Sequence, residues 1–204
     1  MVTGATSGIG EACALRFAKE GYDVIITGRR DHLLQALAEL SEVAEQYLAE
    51  AERIEALGVR AKTLCFDVRD QQQVFDVCGS LEADWAEIDV LINNAGLALG
   101  LDPLQGGDLD DWNTMIDTNI KGLLYVSRAL VPGMVERNRG EIINIGSVAG
   151  DAAYANGNVY CGTKAAVKMI TDGLRIDTAH TRIRVTNIKP GLVETHFSNV
   201  RFHG

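Results

Sequence analysis

The chain reads as a doubly wound α/β domain built on a parallel sheet, and three features carry that expectation. Short β-branched runs alternate with amphipathic stretches of helical period along the whole 204 residues. A glycine-rich turn, Gly4-Ala5-Thr6-Ser7-Gly8-Ile9-Gly10, separates the first run from the first helical stretch. A run of small residues, Asn93-Asn94-Ala95-Gly96, closes the fourth strand, at the carboxyl edge where such sheets leave a crevice for a ligand. A hydrophobic content of 47% suits one domain over residues 1–204 with a sizeable core.

Taken in order, the first strand is short, because only Met1, Val2 and Thr3 precede the glycines; it is expected to lack part of its usual length. Glu11 to Glu20 then carries Ala14, Leu15, Phe17 and Ala18 at helical spacing. Gly4, Gly8 and Gly10 permit a tight turn, and the helix start, with Thr6, Ser7 and Ile9, presents free N–H groups to a pyrophosphate. Asp23 to Gly28 is the second strand. Where a carboxylate would hold a ribose 2′-hydroxyl, the sequence has Gly28-Arg29-Arg30. Two guanidinium groups there suit a 2′-phosphate, which favours NADP over NAD.

From about residue 31 to 57 the spacing predicts an extended acidic helical segment. Leu33, Leu37, Leu40, Ala44, Tyr47, Ala51 and Ile54 form its apolar stripe, Glu39, Glu42, Glu45, Glu50, Glu52 and Glu55 its outer face, and Gly58 its stop. Ala61 to Val68 reads as a third strand ending in Asp67-Val68, and Asp89 to Ile92 as a fourth. Trp112 to Arg137 is one long helical pattern with Asn119 inside it. Glu141 to Ile145 and Ile183 to Ile188 complete six strands, and a helix continues from Tyr160 through Leu174.

Charge and cysteine usage narrow the function. A net charge of −9 argues against nucleic acid, whose phosphates want a basic surface. No apolar run approaches the ~18 residues of a membrane span, and the first residues form no signal segment, so a cytoplasmic protein is expected. Cys13, Cys65, Cys78 and Cys161 lack metal-ligand spacing and read as reduced thiols, three of them in core-like settings; no metal site is expected.

The chemistry is concentrated between Gly146 and Lys164. On a helix, Tyr160 and Lys164 stand at i and i+4, so phenol and ammonium project from one face. A free tyrosine ionises near pH ~10, and a neighbouring cation brings the phenolate within reach of neutral pH. Ser147, at the end of the fifth strand, adds a hydroxyl donor. Together they form a site for moving a proton on or off a carbonyl oxygen. Asp177 and His180 are alternative acid/base groups but belong to no comparable constellation.

Tyr160-Cys161-Gly162-Thr163-Lys164, with Ser147 thirteen residues earlier, the glycine-rich opening, Asn93-Asn94-Ala95-Gly96 and Asn119, resembles the short-chain dehydrogenase/reductase family over essentially all 204 residues. The resemblance implies a Rossmann fold and an oxidoreductase with Asn119, Ser147, Tyr160 and Lys164 as catalytic residues, Asn119 holding a water that connects the lysine to solvent. It further implies cofactor contacts from Asp67 and Val68 at the adenine, from Asn94, Ala95 and Gly96, from Tyr160 and Lys164, and from Pro190, Gly191, Val193 and Thr195. It implies a homo-oligomer and a seventh strand that this chain lacks. Within the family, the runs Asn94 to Gly100, Met115 to Asn119, Pro132 to Asn138 and Phe197 to Phe202 look like the NADP-dependent 3-hydroxy acid dehydrogenases that accept serine, allo-threonine and 3-hydroxypropionate-like acids. Such a substrate needs a cation for its carboxylate, and Arg201 is the candidate. Alternatives are a reductase of neutral ketones or acyl thioesters, and a non-catalytic NADP-binding interaction protein.

Overall fold

The computed structural model describes residues 1–29 and 49–193. Strands β1 (Val2–Thr3), β2 (Val24–Gly28), β3 (Ala61–Cys65), β4 (Val90–Asn93), β5 (Glu141–Ile145) and β6 (Arg184–Ile188) form, among the described residues, one six-stranded sheet in the order β3-β2-β1-β4-β5-β6. Every neighbouring pair is parallel. The chain thus winds outward from β1 in both directions, and the crevice where the order reverses lies at the carboxyl ends of β1 and β4.

Helix α1 (Gly8–Lys19) follows β1, and residues 49–55 form a second helix, α2; α3 (Gln71–Gly79), α4 (Leu109–Ile116), α5 (Leu123–Glu136) and α6 (Asn158–Asp177) follow. One face of the sheet buries Ile25, Leu91 and Ile142 against Val74 and Cys78 of α3, Val126 and Met134 of α5 and Leu174 of α6. Alternate residues Val24, Ile26 and Ile92 point to the other face, onto Ala14 and Ala18 of α1 and Ile54 of α2. Both faces are covered, which is why Val24 to Ile26 of β2 and Val90 to Ile92 of β4 are continuous apolar runs rather than alternating ones. An Arg53–Glu11 ion pair of 2.5 Å ties α2 to the first turn of α1. Most of the leucine-rich stripe of 31–57, with Asp31 and Arg30, falls outside the described residues.

The long helical pattern of Trp112 to Arg137 is where the structure departs from the expectation. It begins earlier, at Leu109, because the Asp108 carboxylate caps the amides of Asp110 and Asp111 at 2.7 and 3.1 Å. It is then interrupted at Asp117–Gly122 by a π-turn that separates α4 from α5. One extra residue per turn swings Thr118 and Asn119 inward, both nearly fully buried.

Three asparagines lie in register across β4, β5 and β6: Asn93 opposite Asn144, and Asn144 opposite Asn187. All three project onto the α5/α6 face. Asn93 Nδ2 donates to Asn144 Oδ1 at 2.9 Å and to Ser127 Oγ at 3.0 Å, and Asn144 Nδ2 donates to Thr171 Oγ1 at 2.9 Å. The carboxamide of Asn187 packs where a Cβ on Gly146 would lie only 2.3 Å from its Oδ1, so glycine is required at 146. Replacing Asn144 by Ala strands a buried donor on Asn93 and leaves a void; we expect a loss of about 2–4 kcal/mol in urea unfolding.

Candidate active site

At the crevice, the glycine turn is shaped by Thr3 and Asn94. Thr3 Oγ1 donates to the Ile92 carbonyl and accepts the amides of Asn94 and Ala95, each at 3.0 Å. Asn94 Nδ2 reaches back to the carbonyls of Thr3 and Gly4 at 2.9 and 2.8 Å. Gly4 and Gly8 adopt φ of 61° and 60°, and a Cβ on Gly10 would sit 2.2 Å from the Gly4 carbonyl oxygen and 2.4 Å from Asn94 Nδ2. Asn94 therefore spends its side chain bracing the turn. Ser7, at the N-cap of α1, makes no side-chain cap and is exposed. The helix start keeps its amides for an anion, and this cradle fits a dinucleotide pyrophosphate.

The adenosine end is framed by the ends of β2 and β3. Gly28 and Cys65 are register partners, so Arg29 and Asp67 leave neighbouring strands side by side. Val68 buries its side chain, and Gly122 packs so tightly on it that a Cβ there would lie 2.7 Å from Val68 Cγ2. What Val68 can offer a cofactor is its main chain. Arg30, Thr195 and Arg201 lie outside the described residues. Pro190 accepts the Val148 amide at 3.1 Å, holding the chain beyond β6 against the residue after Ser147; Gly191 and Val193 follow it.

Separate hydrogen bonds fix the catalytic candidates: one holds Lys164, one Ser147, and a third set runs from Asn119 through Thr163 to the main chain of Tyr160. Lys164 lies on α6 with its Nζ buried and donating to the Ile145 carbonyl at 2.9 Å, two residues before Ser147. The Lys164 Nζ stands 5.8 Å from the centre of the Tyr160 ring, a distance at which the cation acts on the phenol through space. Ser147 caps the short turn Val148–Gly150, its Oγ accepting the Ala149 amide at 3.1 Å, and among the described residues its own proton is not donated to any other group. That turn packs on α6 so closely that a Cβ on Gly150 would meet the Lys164 carbonyl oxygen at 2.6 Å.

Asn119 completes the set from the π-turn. Its Nδ2 donates to the Leu97 carbonyl at 2.8 Å and to Thr163 Oγ1 at 3.0 Å, while its Oδ1 accepts the Leu97 amide at 2.8 Å. Thr163 Oγ1 in turn donates to the Tyr160 carbonyl at 2.8 Å. Gly96 leaves the space between: a Cβ there would lie 3.2 Å from Asn119 Oδ1 and 3.5 Å from Lys164 Nζ. Tyr160 itself lines a shallow pocket with Leu99, Trp112 and Met115. Asp177 and His180 sit at the far end of α6, roughly 25 Å from Tyr160 at 1.5 Å per residue, and take no part.

Two residues that build this site were not singled out from sequence: Thr3 and Thr163. Thr3 stands immediately before the glycines and Thr163 immediately before Lys164, so adjacency to a motif was the available signal. The described cysteines are free, Cys78 and Cys161 buried and the other two half-buried, and no group of possible metal ligands occurs among the described residues. Likewise no described helix is long and apolar enough to cross a membrane.

Burial lowers the pKa of Lys164 from 10.5 to about 8. Folding therefore disfavours its charged form. That cost is fully present below pH 8 and disappears as pH rises towards 10.5, because in that window the unfolded chain binds the proton and the folded one does not. Lys164→Met should thus raise stability at pH 7 by about 1–2 kcal/mol, the lost bond to Ile145 offsetting part of the gain, and the advantage over wild type should vanish near pH 10. Urea unfolding of both proteins at the two pH values checks the sign.

Comparison with known proteins agrees with this geometry. A short chain dehydrogenase family model matches residues 1–203. The NADP-dependent 3-hydroxy acid dehydrogenase YdfG of Salmonella typhi is 52% identical over 205 residues, covering 100% of this chain and 76% of that protein. Sulfoacetaldehyde reductase 2 of Chromohalobacter salexigens is 44% identical with the same coverage. The closed form of a serine dehydrogenase complexed with NADP+ superposes with a TM-score of 0.86 at 49% identity, over 100% of this chain and 76% of that one. On fold, motif geometry and sequence together, the chain belongs to the short-chain dehydrogenase family of oxidoreductases.

Proposed function

We propose that the protein interconverts the hydroxyl and carbonyl forms of a small 3-hydroxy acid such as serine, allo-threonine or 3-hydroxypropionate, with NADP(H) as its cofactor. The observation that carries the reading is the placing of Lys164 Nζ beside the Tyr160 ring, with Asn119 bonded through Thr163 to the Tyr160 main chain, within a chain half identical to an NADP-dependent 3-hydroxy acid dehydrogenase. NADP(H), when bound, accepts or supplies the hydride. The glycine turn would hold its pyrophosphate, Arg29 and Arg30 its 2′-phosphate, Asp67 and Val68 its adenine. Asn94, Ala95, Gly96, Pro190, Gly191, Val193 and Thr195 would line the rest.

In the oxidative direction Tyr160, as phenolate, takes the proton from the substrate hydroxyl. Lys164 favours that phenolate by its charge and would bind the nicotinamide ribose. With a pKa near 8, the lysine is still mostly protonated at neutral pH, so it keeps the cation its role requires. Ser147 donates its unspent proton to the substrate oxygen and holds it in place. Asn119 uses both carboxamide donors on Leu97 and Thr163; its contribution to a proton path runs through the position it imposes on the lysine and on the π-turn main chain. Arg201 is the candidate partner for the substrate carboxylate. A cytoplasmic homo-oligomer completes the proposal, with no nucleic acid or membrane partner.

The reading is tested by following NADP+ reduction with serine, other 3-hydroxy acids, sulfonate analogues and a neutral secondary alcohol. Acids should be turned over in preference to the neutral alcohol, and Tyr160→Phe should cost at least ~10³-fold in kcat without weakening NADPH binding. Turnover by the phenylalanine variant at near wild-type rate would remove Tyr160 from the mechanism.

Arg201→Ala should raise KM for an acid ~10-fold or more and leave that for a neutral alcohol within about twofold. Equal effects would remove Arg201 from substrate recognition.

A further inference from the structure

The carboxylate of Asp67 stands beside the strand end that carries Arg29, where a 2′-phosphate is to be accommodated, and an uncompensated negative charge there would oppose it. It is not uncompensated. The backbone amide of Arg69 donates to Asp67 Oδ1 at 2.9 Å, and Nε and Nη2 of the same residue donate to Oδ2 at 2.8 and 2.6 Å. The pair is mostly enclosed, with side-chain exposures of 18% for Asp67 and 30% for Arg69. Solvent therefore screens it less than the exposed ion pairs elsewhere on the chain.

Two features make this more than a local turn. First, β2 and β3 pair in register up to Gly28 and Cys65, and the Phe66 amide bonds the Gly28 carbonyl at 2.9 Å, so Arg29 and Asp67 cannot drift apart. Second, Asp67 is within electrostatic reach of Arg29. Burial pushes its carboxyl up, but the hydrogen bonds from Arg69 and the charges of Arg69 and Arg29 outweigh that and hold it below the ordinary carboxylate range. Without Arg69, the nearest described cation with an open claim on Asp67 would be Arg29.

We infer that Arg69 is a positioning residue for cofactor choice: by saturating Asp67 it keeps that carboxylate off Arg29 and leaves the Arg29 guanidinium for the 2′-phosphate. Asp67, so held, still has lone pairs to offer an adenine amino group. Removing Arg69 leaves Asp67 to recapture Arg29 and to repel the phosphate, two effects of the same sign. The inference deepens the NADP reading given above and rests on it.

The test measures binding of NADP+ and NAD+ by calorimetry on the same samples, so that the ratio of the two affinities is insensitive to the fraction of protein that is folded. In Arg69→Ala the Kd for NADP+ should rise about tenfold while that for NAD+ stays within about twofold. Arg69→Lys, which keeps the charge, should recover most of the ratio. The double variant Asp67→Asn with Arg69→Ala, which removes the carboxylate that needed neutralising, should recover it as well. If Arg69→Ala weakens both cofactors alike, or neither, the inference is wrong and Arg69 only supports the turn. If the wild type shows no preference for NADP+ over NAD+, the cofactor reading falls and this inference with it.

Discussion

The site depends on keeping one ammonium group out of water. Among the described residues Lys164 Nζ donates to one acceptor, the Ile145 carbonyl, and is otherwise enclosed by α6, β5 and the small residues at the exit of β4. An ion in that position is costly, and everything around it is arranged so that it can stay. Gly96 makes room, Gly150 lets the Ser147 turn close on the lysine's own backbone, and Asn119 fixes the neighbouring Thr163. Stability is given up at the lysine, whose charge is thereby held beside the phenol one turn away.

The same economy of space governs the cofactor side. Gly10 could not carry a Cβ because the Gly4 carbonyl and the Asn94 carboxamide occupy that volume, and Asn94 is there because it satisfies the turn's two carbonyls. The end of the first strand, Val2–Thr3, is held firmly, since Thr3 Oγ1 bonds the main chain of Ile92 in β4 and of Asn94 and Ala95 just beyond it.

Much of this was legible in the sequence. Strand and helix order followed from residue period, the acid/base pair from the four-residue spacing of Tyr160 and Lys164, and the cofactor end from the glycines and from Arg29. What could not be read were interactions set by tertiary partners. Nothing in Asp117 to Gly122 distinguishes a π-turn from ordinary helix; the extra residue is accommodated because Asn119 finds Leu97 and Thr163. Arg69 looks like any polar residue at a helix start until the register of β2 and β3 sets Asp67 next to Arg29. The start of the strand after Leu57 was legible, whereas the acidic stripe before it falls largely outside the described residues.

The asparagines shared by β4, β5 and β6 bear on how such a sheet reaches its final alignment. Parallel strands meet late, after long crossovers have closed, and apolar residues such as Val90 to Ile92 against Ile142, Ile143 and Ile145 would by themselves tolerate several alignments equally well. A slip of one residue would turn Asn144 to the opposite face, away from Thr171 and from Asn93, and leave its carboxamide without those partners and the Asn93 amide with Ser127 alone. The polar pair thus works as a key cut into an otherwise uniform surface: the native alignment is the one in which Asn93 and Asn144 meet, and it sets the glycine turn and Ser147 at the same edge of the sheet.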